Sequence, residues 1–396
     1  MTNWEKRKLG DVCGFVRGPF GGSLKKNIFK ADGYAVYEQQ HAIYDQFEDI
    51  RYFIDEEKFN EMKRFELNAG DIIMSCSGTM GKIAIVPENI KKGIINQALL
   101  KLTPSKRISN HFLKLWMQSQ SFQDSLKEYS QGAAIQNVAS VAILKSIEVP
   151  LPSITEQYRI VSILDESFTA ISKAKANAEQ NLKNAKELFE SYLQGVFENR
   201  SLSGVEGKGE GWEERTLNQI SDNLDSKRVP VTKNVRNEGV IPYYGASGIV
   251  DYVSDYLFDE DLLCVSEDGA NLLARTYPIA FSITGKTWVN NHAHILRFKN
   301  MVNQKFVELY LNSIKLDDFV SGMAQPKLNQ TMLNRIPIPF PPFNQQKTIV
   351  HKVEELSAET KKLVGIYQKK IADLEELKKS ILQKAFSGEL KFKTYE

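Results

Sequence analysis

Cysteine is scarce: Cys13, Cys76 and Cys264 stand far apart, with no Cys-x-x-Cys pair to seed a zinc site or a dithiol motif. A dominant charge is missing too, since the formal net charge of +2 neither announces nor excludes nucleic acid. No apolar run approaches membrane-spanning length, and the opening MTNWEKRKLG has no apolar signal core. These absences predict a soluble cytoplasmic protein without membrane association. What is present is ordinary globular composition, 42% hydrophobic and 25% charged. At 396 residues the chain is too long for one core and predicts two domains or more.

A frame is written twice. WEKRKLGDV at 4–12 is echoed by WEERTLNQI at 212–220, and IEVPLPSITEQYRIV at 147–161 by IPIPFPPFNQQKTIV at 336–350. The second pair aligns Ile147 with Ile336, Pro150 with Pro339, Pro152 with Pro341 and Gln157 with Gln346. SYLQGVF at 191–197 then matches SILQKAF at 380–386. A repeat of this kind organises the whole fold. It predicts a first body at 1–154, a helical spacer at 155–200, a flexible linker at 201–211, a second body at 212–343 and a second spacer at 344–396.

After each proline phrase runs a 3-4 apolar stripe. The first carries Val161, Leu164, Phe168, Ile171, Ala178, Leu182, Ala185, Phe189, Tyr192 and Val196, broken at Lys175. The second carries Val353, Leu356, Leu363, Tyr367, Leu374, Leu377 and Ile381, with Val364 and Ile371 widening the face. Such stripes predict helices of roughly 60 Å that pack on an apolar partner, most simply on each other. The expected fold is α+β: two β-rich bodies joined by two long antiparallel coiled-coil-like helices, as a pseudo-twofold tandem repeat. The prolines suit the residues just ahead of a helix, where a missing amide donor does little harm.

Both bodies alternate as strands. GDIIMSC at 70–76, KIAIVP at 82–87 and GIINQALLKL at 93–102 have counterparts in DLLCVSEDG at 261–269, YPIAFSI at 277–283 and TWVNNHAHILRF at 287–298. INQAL and NNHAH occupy equivalent places, which aligns Asn96 with Asn291 and Ala98 with Ala293. Helices are expected from Ser109 and from Asn303.

Catalytic patterns are weak. AFSITGKT at 280–287 fits a relaxed phosphate-loop pattern, but its interior is not glycine-rich and a strand pattern follows where a helix should begin. FPPF at 340–343 lacks the Asp, Asn or Ser that an amino-methyltransferase motif needs before its prolines. His292 and His294, two apart on an expected strand, would share a face, yet no third metal ligand is suggested by spacing.

Polar loops are better explained by DNA. Asn and Gln pair bidentately with adenine, Arg and Lys with guanine, and acids accept from cytosine. Glycines let amides approach phosphates that lysines neutralise. The first body offers Arg17, Ser23, Lys25, Lys26, Gln39, Gln40, His41, Ser77, Thr79, Lys82, Asn96 and Gln97. The second offers Lys227, Arg228, Lys233, Tyr243, Tyr244, Ser247, Glu267, Asp268, Asn271, Arg275, Lys286, Asn290, Asn291, His292 and His294.

With its duplicated proline phrase, GDII…SGTMGK, EDGANL and NNHAH, the whole chain resembles the specificity subunit of type I restriction–modification enzymes. The resemblance implies two target-recognition domains, each for one half of a split double-stranded DNA target, and helices that act as spacer and docking surface. It also implies two methyltransferase subunits and restriction subunits as partners. S-adenosylmethionine, ATP and Mg would then belong to those partners, with no cofactor, metal or catalytic residue in this chain. A nucleotide-binding enzyme built on Lys286 and a scaffold without DNA readout are the competing expectations. Neither accounts for two unlike bodies in one duplicated frame.

Overall fold

The computed structural model describes residues 4–128, 141–197, 211–322, 324–387 and 389, so the expected linker lies outside the described residues apart from Gly211. The chain divides into two compact units, Met1–Ala178 with Lys369–Glu396, and Glu179–Gln368.

The first unit holds strands β1 (Glu5–Lys8), β2 (Cys13–Arg17), β3 (Tyr34–Tyr37), β4 (Tyr52–Ile54), β5 (Ile72–Ser75), β6 (Ile83–Ile85), β7 (Gly93–Ile95), β8 (Leu99–Pro104) and β9 (Glu148–Leu151). An antiparallel sheet in the order β2-β8-β5-β6 lies beside a second sheet, β4-β3-β7, whose β3 and β7 run parallel. Every residue of β5 is buried, as an apolar run covered on both faces requires. Helix Asn110–Gln118 contributes Phe112, Leu113, Leu115, Trp116 and Met117 to the core, each worth about 1.5–3 kcal/mol if fully buried. The helix expected to run on from Ser109 breaks at Ser119, whose backbone is extended, and resumes at Gln120–Glu128.

The second unit repeats this plan with β10 (Glu213–Arg215), β11 (Ser221–Asn223), β12 (Glu238–Gly245), β13 (Gly248–Val253), β14 (Phe258–Asp259), β15 (Leu262–Ser266), β16 (Ala280–Ile283), β17 (Lys286–Val289), β18 (Ala293–Phe298) and β19 (Ile338–Phe340). Its sheets are ordered β11-β18-β15-β16 and β13-β12-β17-β14, with β12 and β17 parallel. Helix Met301–Ser313 begins two residues before the expected start, because Asn300 caps it by accepting from the Asn303 amide at 2.9 Å.

GIINQALLKL and TWVNNHAHILRF, expected as single strands, each form two strands in two different sheets. Asn96 and Asn290 make the break: each side-chain oxygen accepts from the amide two residues on, Ala98 at 2.9 Å and His292 at 2.8 Å. The Ala98 carbonyl accepts from Cys76, as the His292 carbonyl does from Glu267. Asn96 therefore corresponds to Asn290 and Ala98 to His292, one place from the letter-by-letter alignment.

Both frame phrases meet in each unit. WEKRK supplies β1 and IEVPL supplies β9, paired with Glu5 opposite Leu151; WEER and IPF do the same through β10 and β19, Glu213 opposite Phe340. The glutamine of each proline phrase is buried. Gln157 accepts from the Ser109 amide at 2.8 Å and donates to the carbonyls of Arg107 and Pro152, each at 3.0 Å. Gln346 donates to the Pro341 carbonyl at 2.8 Å, and its own oxygen is buried without a partner.

The long helices are Ile154–Phe197 and Phe343–Ser387, of 44 and 45 residues. In the first unit Val161, Leu164, Ile171 and Ala178 are buried and Phe168 half-buried, with Ala385, Ile381, Leu382 and Phe386 joining the same core. Lys175, the break in the stripe, pairs with Glu375, and Lys378 lies 5.0 Å from the Phe168 ring centre. Falling numbers on one helix meet rising numbers on the other, so these segments are antiparallel. Leu374 is half-buried there. In the second unit Leu182, Phe189, Leu356 and Tyr367 are half-buried and Val196 and Val353 buried. Leu363, expected on the seam, is 44% exposed. The alternation runs Val353, Ser357, Thr360, Val364, Tyr367, all buried or half-buried, and its two polar members hid the register. No helix among the described residues is long and apolar enough to cross a membrane.

Candidate nucleic-acid interface

In the first unit two loops converge on the Asn96–Ala98 turn. Cys76, just past β5, donates to the Ala98 carbonyl at 2.8 Å, and Gly18, just past β2, donates to the Leu99 carbonyl at 2.9 Å. Gly18 has to be glycine, since a Cβ there would lie 1.8 Å from the Asn96 carbonyl oxygen. Arg17 is half-buried, and its guanidinium acts to lower the pKa of the Cys76 thiol. Burial still outweighs that effect and pushes the thiol up to about 11.

At this end Lys25, Lys26, Thr79, Lys82 and Gln97 are exposed, while Ser23 and Ser77 are half-buried. Asn96 is buried in its turn. His41 is also buried: its Nδ1 accepts from the Glu38 amide at 2.9 Å and its Nε2 lies 3.1 Å from the Asp49 carbonyl. Gln40 donates to that same carbonyl at 3.2 Å, and the Gln39 side-chain oxygen is buried without a partner. The short helix Gln39–Tyr44 thus turns most of its polar groups inward.

The second unit builds a charged cluster at the matching place. His294, buried on β18, has Nδ1 2.6 Å from Asp225 and Nε2 2.7 Å from the Leu328 carbonyl. Arg228 donates to Glu267 at 2.6 Å and to the Ala293 carbonyl at 2.8 Å; Lys327 lies 3.2 Å from Glu267. Burial alone would raise Asp225. The His294 bond and charge, the Ile295 amide and Arg228 outweigh it and leave the carboxyl below its ordinary range. Glu267 likewise ends low, because its bond to Arg228, the His294 charge and Lys327 overcome burial. Asp225, Glu267 and His294 bring ligand-type atoms within 4.8 Å of one another. Both imidazole nitrogens face oxygen acceptors, however, and two cations already neutralise the carboxylates, so the cluster is a salt-bridge lock in which a metal would have to displace existing bonds.

His292 lies in the turn before β18, exposed, with Nδ1 2.8 Å from Asp268. It does not share a strand face with His294, because Asn290 ends the strand between the two sheets. Glu267 and Asp268, adjacent in sequence, serve different partners for the same reason. Lys227, Ser247 and Asn291 are exposed around this cluster, and Asn290 is buried. Lys233 is exposed farther along the Lys227 loop.

Other candidates are occupied elsewhere. Tyr243 is buried beneath Arg236, 4.2 Å from the ring centre, and its hydroxyl accepts from the Val231 amide. Tyr244 packs on Phe281. Asn271 binds both backbone groups of Tyr277, and Arg275 donates to Leu311 and Ile314 carbonyls at the end of helix Met301–Ser313. Lys286 is exposed over Tyr256, at the far end of β17, about 13 Å of strand from Asn290. Gly285, at φ +66°, turns β16 into β17, so no helix follows the phosphate-loop pattern. Asp225 and Lys327 were not among the candidates. Asp225 stands two residues before Lys227, whereas only the fold brings Lys327 to Glu267.

Similarity to known proteins agrees with this arrangement. The sequence profile of the family described as Type I restriction modification DNA specificity domain matches residues 1–182 and 209–375. A Haemophilus influenzae protein assigned as a type I restriction enzyme specificity subunit is 35% identical over 156 residues, 39% of this chain and 40% of that protein. The MjaVIII specificity subunit of Methanocaldococcus jannaschii is 24% identical over 426 residues, 99% of this chain and 94% of that one. A chain solved in work on assembly and conformational transition of the type I R-M system shares the fold, with TM-score 0.76 and 17% identity over 98% of this chain and 99% of that chain. The chain belongs to the specificity (S) subunits of type I restriction–modification systems, non-catalytic components that act in DNA specificity.

Proposed function

We propose that each unit recognises one half of a bipartite double-stranded DNA target, and that the two long helices set the gap and dock two methyltransferase subunits. One observation carries this reading: the units share frame strands and, apart from the extra edge strand β14, strand order, yet differ where loops converge. Cys76 and Leu100 in the first stand where Glu267 and His294 stand in the second. One scaffold with two unlike loop ends suits two unlike half-sites.

The recognition bodies are residues 1–154 and 212–343, related as a pseudo-twofold repeat, with spacers at 155–200 and 344–396 joined through 201–211. Restriction subunits complete the assembly for cleavage, and S-adenosylmethionine, ATP and Mg act in the partners, in the cytoplasm. Gln97 and Thr79 contact bases of the first half-site, and Asn291, His292 and Ser247 those of the second. Lys25, Lys26, Lys82 and Lys227 meet phosphates, and Lys286, farther off, adds only charge.

Methylome sequencing of cells with and without this chain tests the reading. The expected result is a two-part motif with a fixed gap that appears only with the chain; no chain-dependent motif would reject it. Asn291→Ala should relax one position of the second half by about 1–3 kcal/mol and leave the first half unchanged. Equal loss at both halves would remove Asn291 from the contact set.

A further inference from the structure

The loop after β2 holds out a side chain with no use inside the protein. Phe20 is 92% exposed, the most exposed large hydrophobic among the described residues, and it makes no aromatic contact there. Its base is fixed. Gly18 lies against the backbone of Asn96 and Gln97, Pro19 is buried with a locked φ, and the Ser23 amide closes a turn on the Phe20 carbonyl at 2.9 Å. Exposed Lys25 and Lys26 follow in the same loop. A flat apolar group thus stands on a braced loop that is rooted on the Asn96–Gln97 turn and also carries two exposed lysines. The partner that matches is apolar and planar at its centre and anionic at its rim, as stacked base pairs between phosphates are.

We propose that Phe20 is a wedge that unstacks one base step of the first half-site while Lys25 and Lys26 hold the flanking phosphates. The inference rests on the half-site reading above. The second unit has no exposed aromatic in its matching loop, which offers only the smaller Val229 and Val235, 47% and 66% exposed, and the Val229 carbonyl there accepts from the Trp288 indole at 2.7 Å. Local DNA distortion should therefore be confined to the first half-site.

The test uses the complex with methyltransferase subunits and target duplexes carrying 2-aminopurine at each position of either half-site in turn. Wild type should brighten the probe at one first-half step besides the methylated base, with no counterpart in the second half. Phe20→Ala should abolish that signal and weaken specific binding about 10- to 100-fold, the range of a lost stacking contact. Phe20→Leu should keep most of the signal, because aliphatic wedges also unstack. Wild-type fluorescence in Phe20→Ala would overturn the wedge, whatever its affinity. Lost assembly with the methyltransferase, with DNA unstacking intact, would overturn it in favour of a protein contact. Absence of sequence-dependent binding by wild type would instead overturn the half-site reading itself.

Discussion

The two units solve one packing problem at the end of the same sheet in opposite ways. Where the first buries Leu100 and a thiol, the second buries an imidazole among two half-buried carboxylates and a half-buried guanidinium. The apolar solution owes its stability to burial and tolerates neighbours of any polarity. The ionic one gains little over an apolar core, because removing charges from water offsets their attraction, but it fixes which loops touch. Asp225, Glu267 and His294 come from three segments, and Arg228, Lys327 and the Leu328 carbonyl tie them together. The difference teaches that the loop end is free to change chemistry so long as the sheet below it is held.

Breaking the ionic lock should give the largest effect. Arg228→Met leaves half-buried carboxylates short of a cation and should cost the second unit about 3 kcal/mol, the low end for a broken buried pair, in denaturant unfolding. The comparison also has a pH signature. Asp225 and Glu267 sit below their ordinary values of 3.8 and 4.5. They therefore add stability above those values, and it is lost as pH falls through the lower folded ones. In the first unit Glu38 is raised by burial, so its sign is reversed and stability declines as pH rises past 4.5. The depressed carboxyls of Asp32 and Asp55 in that unit are fully exposed and count for little. Hydrogen exchange followed downward from pH 5 should show the second unit opening first; simultaneous opening would refute the assignment.

The frame offers a sharper comparison with a smaller effect. Gln157→Leu strands the Ser109 amide and two carbonyls, and should cost about 2–3 kcal/mol. Gln346→Leu loses one bond and removes an unpaired oxygen, so about 1 kcal/mol or less is expected from parallel urea melts. Equal costs would mean that the unpaired oxygen finds a partner in solution. The smallest effect belongs to the helix seam. Leu363→Gln should change stability by no more than about 0.5 kcal/mol, whereas Val364→Gln should cost more than about 1 kcal/mol in the same melts.

How much could be read beforehand follows from the range of each interaction. The long helices were legible because a 3-4 stripe is local, and Lys175 was visible as its interruption. The second stripe slipped at Leu363 because Ser357 and Thr360 occupy seam positions with polar side chains. Strand content was legible in GDIIMSC and KIAIVP, but the division at Asn96 and Asn290 was not: an Asx turn inside an apolar run looks like one more polar residue. Among the candidate residues, polar type selects Gln97 and Asn291, which are exposed. It selects His41, Tyr243 and His294 equally, and these lie inside, where distant partners satisfy them. Lys327 carried no sign, since Glu267 is its reason for being there.

The ribbon of β1 on β9, repeated as β10 on β19, has a consequence for exchange of the bodies. Within each unit the chain arrives and departs along adjacent strands about 5 Å apart, so both cut ends of a body lie side by side. A foreign body with neighbouring termini could be grafted into that doorway without disturbing the supporting helices. Exchange of a whole body at those strands then needs no compensating change in the frame.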